Sequence, residues 1–276
     1  MTGRRIDPTL ARSWLLVPAL THDALAAAEA SSVDAIILDL EDGVPAGEKA
    51  QARAVAVEWL QEHQGWVRIN DVSTMHWLED VRALREAPGL LGVMLAKSET
   101  AHQIADTAAQ LPRGTALIAL VESALGMQAA DSIAAAAGVL RIAFGVGDFR
   151  RDTGIGDSPL ALAYARSHLV IASRAAGIAA PIDGPTLTTD DDVLRAATAV
   201  TADMGMAGKL CLQTDQAAVI NAQLSPGVTD LRWARATVDR LGEDGSRVTD
   251  GSDLPQLARA KLLLKHAKDF GVELPD

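Results

Sequence analysis

The sequence predicts one closed α/β barrel of the (β/α)8 TIM type, followed by a C-terminal helical extension. Three observations point there. Eight short apolar runs alternate with Ala-rich stretches whose apolar residues recur near every 3.6 positions, the pattern of parallel strands joined by crossover helices. Nearly every run ends in a charged or amide side chain, and barrel enzymes carry their chemistry at the C-terminal ends of their strands. An open doubly wound sheet would gather such residues at one switch point and show a glycine-rich turn after its first strand. Here the first run leads into VPALT, which contains no glycine.

In order, the strand candidates are 13–19 (SWLLVPA), 35–40 (AIILDL), 66–70 (WVRIN) and 91–96 (LGVMLA), then 116–121 (ALIALV), 140–145 (LRIAFG), 178–182 (IAAPI) and 209–212 (KLCL). Asp39, Glu41 and Asp42 close the second run, Arg68 and Asn70 the third, Lys97 the fourth and Glu122 the fifth. Asp148, Asp183 and Gln213 follow the sixth, seventh and eighth. The helical stretches between them are 23–30, 49–61, 77–87, 98–110, 127–137, 160–176 and 191–204. The barrel is expected to occupy 1–225. Residues 226–276 form a helical segment, 230–241 and 256–270 joined by the polar loop 242–253, expected to pack on the barrel or on a neighbouring subunit.

Composition narrows the function classes. A hydrophobic content of 49% supplies a large core, and 3% aromatics means that core is mostly Ala, Val, Leu and Ile. A net charge of −11 repels phosphate backbones and sets nucleic acid aside. One cysteine, Cys211, excludes an internal disulfide and a cysteine-rich zinc site. Residues 1–8 are polar, and no segment approaches the roughly 18 uninterrupted apolar residues of a membrane span. The expectation is a cytoplasmic protein without a membrane or nucleic-acid partner. The six histidines form no metal spacing, and no GxSxG nucleophile motif is present.

Glu122 and Asp148 each follow a strand and would project into the barrel mouth. Two carboxylates without Cys or His suit a hard cation such as Mg2+, which takes one or two protein carboxylates and keeps several waters. The alternative is a pair of solvated acids capping the next helices, or an ion pair with Arg68. The Arg68 guanidinium presents a planar fork for a carboxylate or enolate oxygen. It is equally placed to pair with Asp39 or Glu41, and both roles are compatible. The acids of 38–44 (LDLEDGV) need nearby cations, for which Lys49, Arg53 and Arg68 are candidates. Asp39 and Glu41 point to one side by strand alternation and are substrate-facing candidates, with Lys97 and Gly147; Asp42 is a catalytic candidate. Arg150 and Arg151 offer either an anion contact at the mouth or an exposed helix start.

The ordered set of motifs resembles a known family. These are 12–18 (RSWLLVP), 38–44 with Lys49 and Arg53, 67–70 (VRIN), 97–99 (KSE), 121–126 (VESALG), 144–148 (FGVGD) with Asp152 and Gly154, 182–184 (IDG), 208–209 (GK) and 253–260 (DLPQLARA). Together they resemble the citrate lyase β-subunit-like proteins of the HpcH/HpaI aldolase and malyl-CoA lyase superfamily. The resemblance implies a Mg2+-dependent barrel, usually a homotrimer or a dimer of trimers, acting on CoA thioesters or small oxo acids. It implies Glu122 and Asp148 as metal ligands and Arg68 as the holder of the oxo-acid carboxyl or carbonyl. It implies Asp253 as a catalytic acid or base completing a neighbouring subunit's site, although by sequence Asp253 also reads as an N-cap. The chain departs from the family at Gln213 and Thr214, where the family has His and Pro, at Thr21 and His22 in place of an Asn-Arg pair, and at Ala96 in place of Pro.

What the resemblance implies chemically is a carbon–carbon lyase that cleaves or forms a 3-hydroxyacyl-CoA, of the malyl-CoA or citramalyl-CoA kind, with an oxo acid. The rivals are an aldolase acting on a free oxo acid without CoA, the β subunit of a multi-subunit citrate lyase, and a silent metabolite-binding barrel.

Overall fold

The computed structural model describes residues 6–273. Among these, eight parallel strands close on themselves in sequence order. They are β1 (Ser13–Pro18), β2 (Ala35–Asp39), β3 (Gly65–Ile69), β4 (Leu90–Leu95), β5 (Ala116–Val121), β6 (Val139–Phe144), β7 (Ile182–Asp183) and β8 (Gly208–Cys211). The connecting helices are α1 (His22–Glu29), α2 (Lys49–Glu62), α3 (Met75–Leu84), α4 (Ala101–Gln110), α5 (Ala124–Gln128) and α6 (Ala130–Ala134). They continue with α7 (Val146–Thr153), α8 (Pro159–Ala176), α9 (Asp191–Asp203), α10 (Gln216–Gln223), α11 (Val228–Leu241) and α12 (Asp253–Phe270). One turn of 3-10 helix, Ala46–Glu48, leads into α2. None of these helices is long and apolar enough to cross a membrane.

The chain divides into a barrel unit, 7–221, and a second unit that includes 222–273. In the second unit α11 packs on α12. The barrel core follows from the strand composition: every residue of β5 after Ala116 is buried, as are the last four of β4. Toward the N-terminal strand ends, Trp14 and Trp66 meet edge to face at 5.3 Å. Arg141 lies there too, fully buried. Its guanidinium donates to the carbonyls of Ala11 and Ala180 at 2.7 Å each. That end is therefore filled and pinned, and the C-terminal ends are left to carry the polar groups. Burial pushes the Cys211 thiol up to about 12, so it acts as a small core residue.

Three elements differ from expectation. The seventh strand begins at Ile182, not 178, because Pro181 has no N–H to give the ladder. Its pairing starts with Ala143 opposite Ile182. The helix expected over 127–137 is two short ones, with Ser123 capping the first through the Gly126 N–H at 3.1 Å. The segment after β6, absent from the expected helical stretches, forms helix α7, which puts Asp148 in a first helical turn.

Candidate active site

The strand register builds the first half of the site. Asp39 and Arg68 are direct partners on β2 and β3. Arg68 donates through Nε to Asp39 Oδ1 at 2.7 Å and through Nη2 to Asp39 Oδ2 at 2.6 Å. Asp39 also accepts from the Glu41 and Gly43 N–H groups, both at 2.9 Å. Its recorded contacts are thus all protein donors. Glu41 Oε2 lies 3.1 Å from Arg68 Nη1, and Glu41 Oε1 lies 3.8 Å from Lys97 Nζ. Burial raises the Glu41 pKa, and Arg68 opposes it. Burial acts to lower the Arg68 pKa, but the bonds and charge of Asp39, with Glu41 and Glu122, outweigh it and hold the guanidinium above its ordinary value.

Lys49 and Arg53 make no direct ion pair with the acids of 38–44, although the charges of Glu41 and Asp39 reach Lys49. Lys49 donates instead to the carbonyls of Leu40 and Glu41 and to Asn70 Oδ1, at 2.7, 2.6 and 2.9 Å. Arg53 turns away to Asp80 and Glu79, each at 2.9 Å. Both start on α2, behind the strand ends, where carbonyls and α3 acids are nearer than the mouth. Asp42 is exposed.

The second half rests on β4, β5 and β6. Glu122 follows β5 and is 5% exposed. Its Oε1 accepts the Lys97 N–H at 2.8 Å. Lys97 has φ 47°, the one positive φ among the described residues other than glycine. That conformation costs about 1–3 kcal/mol for a side-chain-bearing residue, and here it aims a backbone donor at a carboxylate. Ser98 anchors the turn, its N–H on Leu120 O and its hydroxyl on Leu95 O, both at 2.9 Å. Gly145, between β6 and α7, leaves Glu122 its place: a Cβ there would overlap Glu122 Cβ and Oε2. Burial pushes the Glu122 pKa up to about 8; the Lys97 N–H opposes this, and Glu41 and Asp148 add to it.

Asp148 completes the pair from the first turn of α7. Its Oδ1 lies 3.1 Å from Arg151 Nη2. Its Oδ2 is buried and has no hydrogen-bond partner among the described residues. An orphan carboxylate oxygen beside a second buried carboxylate is what a bound cation would satisfy. No group of three His, Cys, Asp or Glu side chains able to hold a metal occurs among the described residues. With its orphan oxygen, the pair of carboxylates fits Mg2+, which needs few protein ligands. A Cβ on Gly147 would meet nothing within 4 Å, so the space beside Asp148 is open. Arg151 pairs with Asp148, and Arg150 lies 3.5 Å from Asp157, so each arginine already faces a carboxylate.

Sequence reasoning missed Ser123, whose hydroxyl donates to Glu99 at 2.6 Å, and Asp152, which accepts from the Ala124 N–H at 2.7 Å. Both sat inside quoted motifs, which was the available signal. Asp183 is not at the mouth: it is fully buried and bonded by Arg166 at 3.0 Å and Thr201 at 2.7 Å, with Lys209 3.6 Å away. The substituted eighth-strand segment borders a cavity of about 470 Å3 lined by Thr186, Leu187, Thr188, Thr189, Leu212, Gln213 and Gln216. None of these side chains is ionisable.

Asp253 is not the N-cap of α12. Ser252 holds that position without a side-chain capping bond, and Asp253 stands inside the first turn. Its carboxylate reaches back to the Thr249 N–H at 2.9 Å and to Arg240 Nη1 at 3.0 Å. Those two contacts, the Thr249 N–H first, hold its pKa near about 2.

A closed parallel barrel with its titratable groups gathered at the C-terminal strand ends defines a barrel enzyme. The chain belongs to the HpcH/HpaI aldolase/citrate lyase family: residues 12–214 match that family and 229–271 match the HpcH/HpaI aldolase C-terminal domain. It is a carbon–carbon lyase of the aldolase and CoA-ester lyase type. It is 31% identical to the citrate lyase subunit beta-like protein of Deinococcus radiodurans over 94% of this chain and 98% of that one. It is 30% identical to the L-malyl-CoA/beta-methylmalyl-CoA lyase of Cereibacter sphaeroides, covering 87% and 89% of the two chains. The CitE structure from Mycobacterium tuberculosis, in complex with magnesium, acetoacetate and coenzyme A, superposes with a TM-score of 0.77 at 28% identity, covering 94% of this chain and 99% of that one.

The fit of Glu122 beside Gly145 is testable. Gly145→Ala is expected to weaken Mg2+ binding on the order of tenfold or more, as displaced supporting groups do, while the barrel stays folded. Isothermal titration showing unchanged affinity would mean that Gly145 does not seat Glu122.

Proposed function

We propose that the protein is a Mg2+-dependent lyase that splits a 3-hydroxyacyl-CoA thioester of the malyl-CoA or citramalyl-CoA kind into an acyl-CoA and an oxo acid, or joins them. The observation that carries this reading is the pair of buried Glu122 and half-buried Asp148, whose Oδ2 is an orphan, in the same barrel mouth as Arg68. Glu122 and Asp148 would hold Mg2+, which when bound supplies Lewis-acid polarisation of the oxo-acid oxygens. Arg68 keeps its Nε–Nη2 edge on Asp39, so the oxo-acid carboxyl or charge developing on oxygen would be met by Nη1, shared with Glu41 Oε2 at 3.1 Å. Asp39 acts through Arg68. Glu41 and Lys97 flank the same space, Gly147 leaves it open, and Asp42 is the exposed acid at its edge. The uncharged cavity at Gln213 suits the amide-bearing arm of a thioester, which carries no charge of its own. An aldolase reaction on a free oxo acid would use the same Glu122, Asp148 and Arg68 and would leave that cavity without a role.

The test is an assay of the Mg2+-loaded protein against a panel of 3-hydroxyacyl-CoA thioesters and the corresponding free hydroxy acids, with oxo-acid release as readout. Release from thioesters alone supports the reading. Release from the free acids at equal efficiency rejects CoA as part of the substrate.

Within the same reading the enzyme is a cytoplasmic homotrimer, and Asp253 moves the proton on the departing carbon in a neighbouring subunit's site. Asp253→Asn and Glu122→Gln are then each inactive alone. Mixed under conditions that exchange subunits, they recover part of the activity, because some sites pair an intact Glu122 with an intact Asp253. Confirmed exchange without recovery excludes the shared site.

A further inference from the structure

Behind the mouth, the C-terminal ends of β2 and β3 are tied together by polar groups that touch neither carboxylate of the candidate metal pair. Lys49, the first residue of α2, is 9% exposed. Its ammonium has three donors, and the structure gives it three acceptors: Leu40 O, Glu41 O and Asn70 Oδ1. All three are neutral oxygens, so Lys49 fixes their directions without a direct ion pair, while the charges of Glu41, Asp39 and Asp80 act on it and oppose the lowering of its pKa by burial. Asn70, just past β3, donates through Nδ2 to Leu40 O at 2.9 Å and to Asp80 Oδ2 at 2.7 Å. Asp80 on α3 is fully buried; it also accepts the Asn70 N–H at 3.0 Å and Arg53 Nε at 2.9 Å. The chain Arg53–Asp80–Asn70–Lys49 thus ends on the peptide groups that flank Glu41, two residues past Asp39. Its satisfied members hold one arrangement of those carbonyls, which an apolar core would not specify.

We propose that Lys49, braced by Asn70 and Asp80, is a positioning residue that sets the Glu41–Arg68 arrangement and with it the contact of Arg68 with the oxo acid. This rests on the function proposed above. A residue of this kind costs on the order of tenfold to a hundredfold in activity when lost, without touching substrate.

The experiment is a double-mutant cycle of Lys49→Met with Arg68→Lys, run in the condensing direction with Mg2+ present. Lys49→Met is expected to raise the KM for the oxo acid and lower kcat/KM by that factor, with the KM for the thioester unchanged. In the Arg68→Lys background the same change is expected to cost no more than about twofold, because coupled residues are not additive. Asp34→Ala, which removes the partner of Arg12 from the segment just before β2, serves as the control for lost stability. If Lys49→Met does not fold, Asn70→Ser goes through the same cycle; it keeps the two carbonyl contacts of Lys49. Losses that multiply in full, or that match Asp34→Ala at an equal drop in melting temperature, overturn this inference alone. Wild-type activity in Arg68→Lys overturns the proposed function and this inference together.

Discussion

Glu122→Gln is expected to abolish Mg2+ binding and turnover while leaving the barrel folded, because the residue sits past the end of β5 and not in the strand core. The variant also has a signature in stability. The folded, metal-free protein binds a proton at Glu122 up to about pH 8, whereas the unfolded chain releases it near the ordinary carboxylate value of 4.5. Between those two pH values the folded state holds more protons than the unfolded one, so stability falls as pH rises across the window and the full penalty is present above about 8. Gln cannot ionise, so the wild-type minus variant difference in melting temperature should fall over that window in the presence of a chelator. Mg2+ should return more stability to the wild type at the alkaline end, since its ligands bind deprotonated. Calorimetric melts at three pH values, with and without Mg2+, give both results. Undiminished Mg2+ affinity in Glu122→Gln would remove that residue from the metal site.

Arg68→Lys is the second large effect. Lys keeps the charge and loses the planar fork. Asp39, 2% exposed, would lose two of its four donors, and one ammonium cannot both replace them and serve a ligand. The expected loss in kcat/KM is on the order of 2–4 kcal/mol, that of one preorganised donor, accompanied by a lower melting temperature from the underpaired Asp39. Kinetics measured below the melting transition separate the two. A kcat/KM near wild type would take Arg68 out of the mechanism.

The barrel was legible because its strands are continuous apolar runs and their polar ends are local in sequence. The Asp39–Arg68 pair was legible for a related reason: parallel neighbours place strand-end residues side by side. The seventh strand was misjudged because IAAPI is apolar, and the missing N–H of Pro181 outweighs hydropathy. Helix α7 was not among the expected helices because Gly145 and Gly147 lower helix propensity, yet it starts directly after Gly145. The destinations of Lys49 and Arg53 were not legible, since charge matching alone prefers the acids of 38–44 and the choice is made by where α2 and α3 dock. Asp80 gave no signal at all, being one acid among several in a helical stretch. The backbone angle of Lys97 was equally silent, because only the tertiary pull of Glu122 and Ser98 selects it.

That angle has a consequence for how the protein can be altered. At φ 47° glycine would be the comfortable occupant. A search for tougher variants would find Lys97→Gly attractive where relief of the about 1–3 kcal/mol of strain outweighs the greater freedom of glycine in the unfolded chain. The backbone donor to Glu122 would survive the exchange, but the ammonium 3.8 Å from Glu41 would not. If Lys97 faces the substrate as proposed, durability and activity pull toward different amino acids at this residue, and screening for heat resistance alone would select against the ammonium.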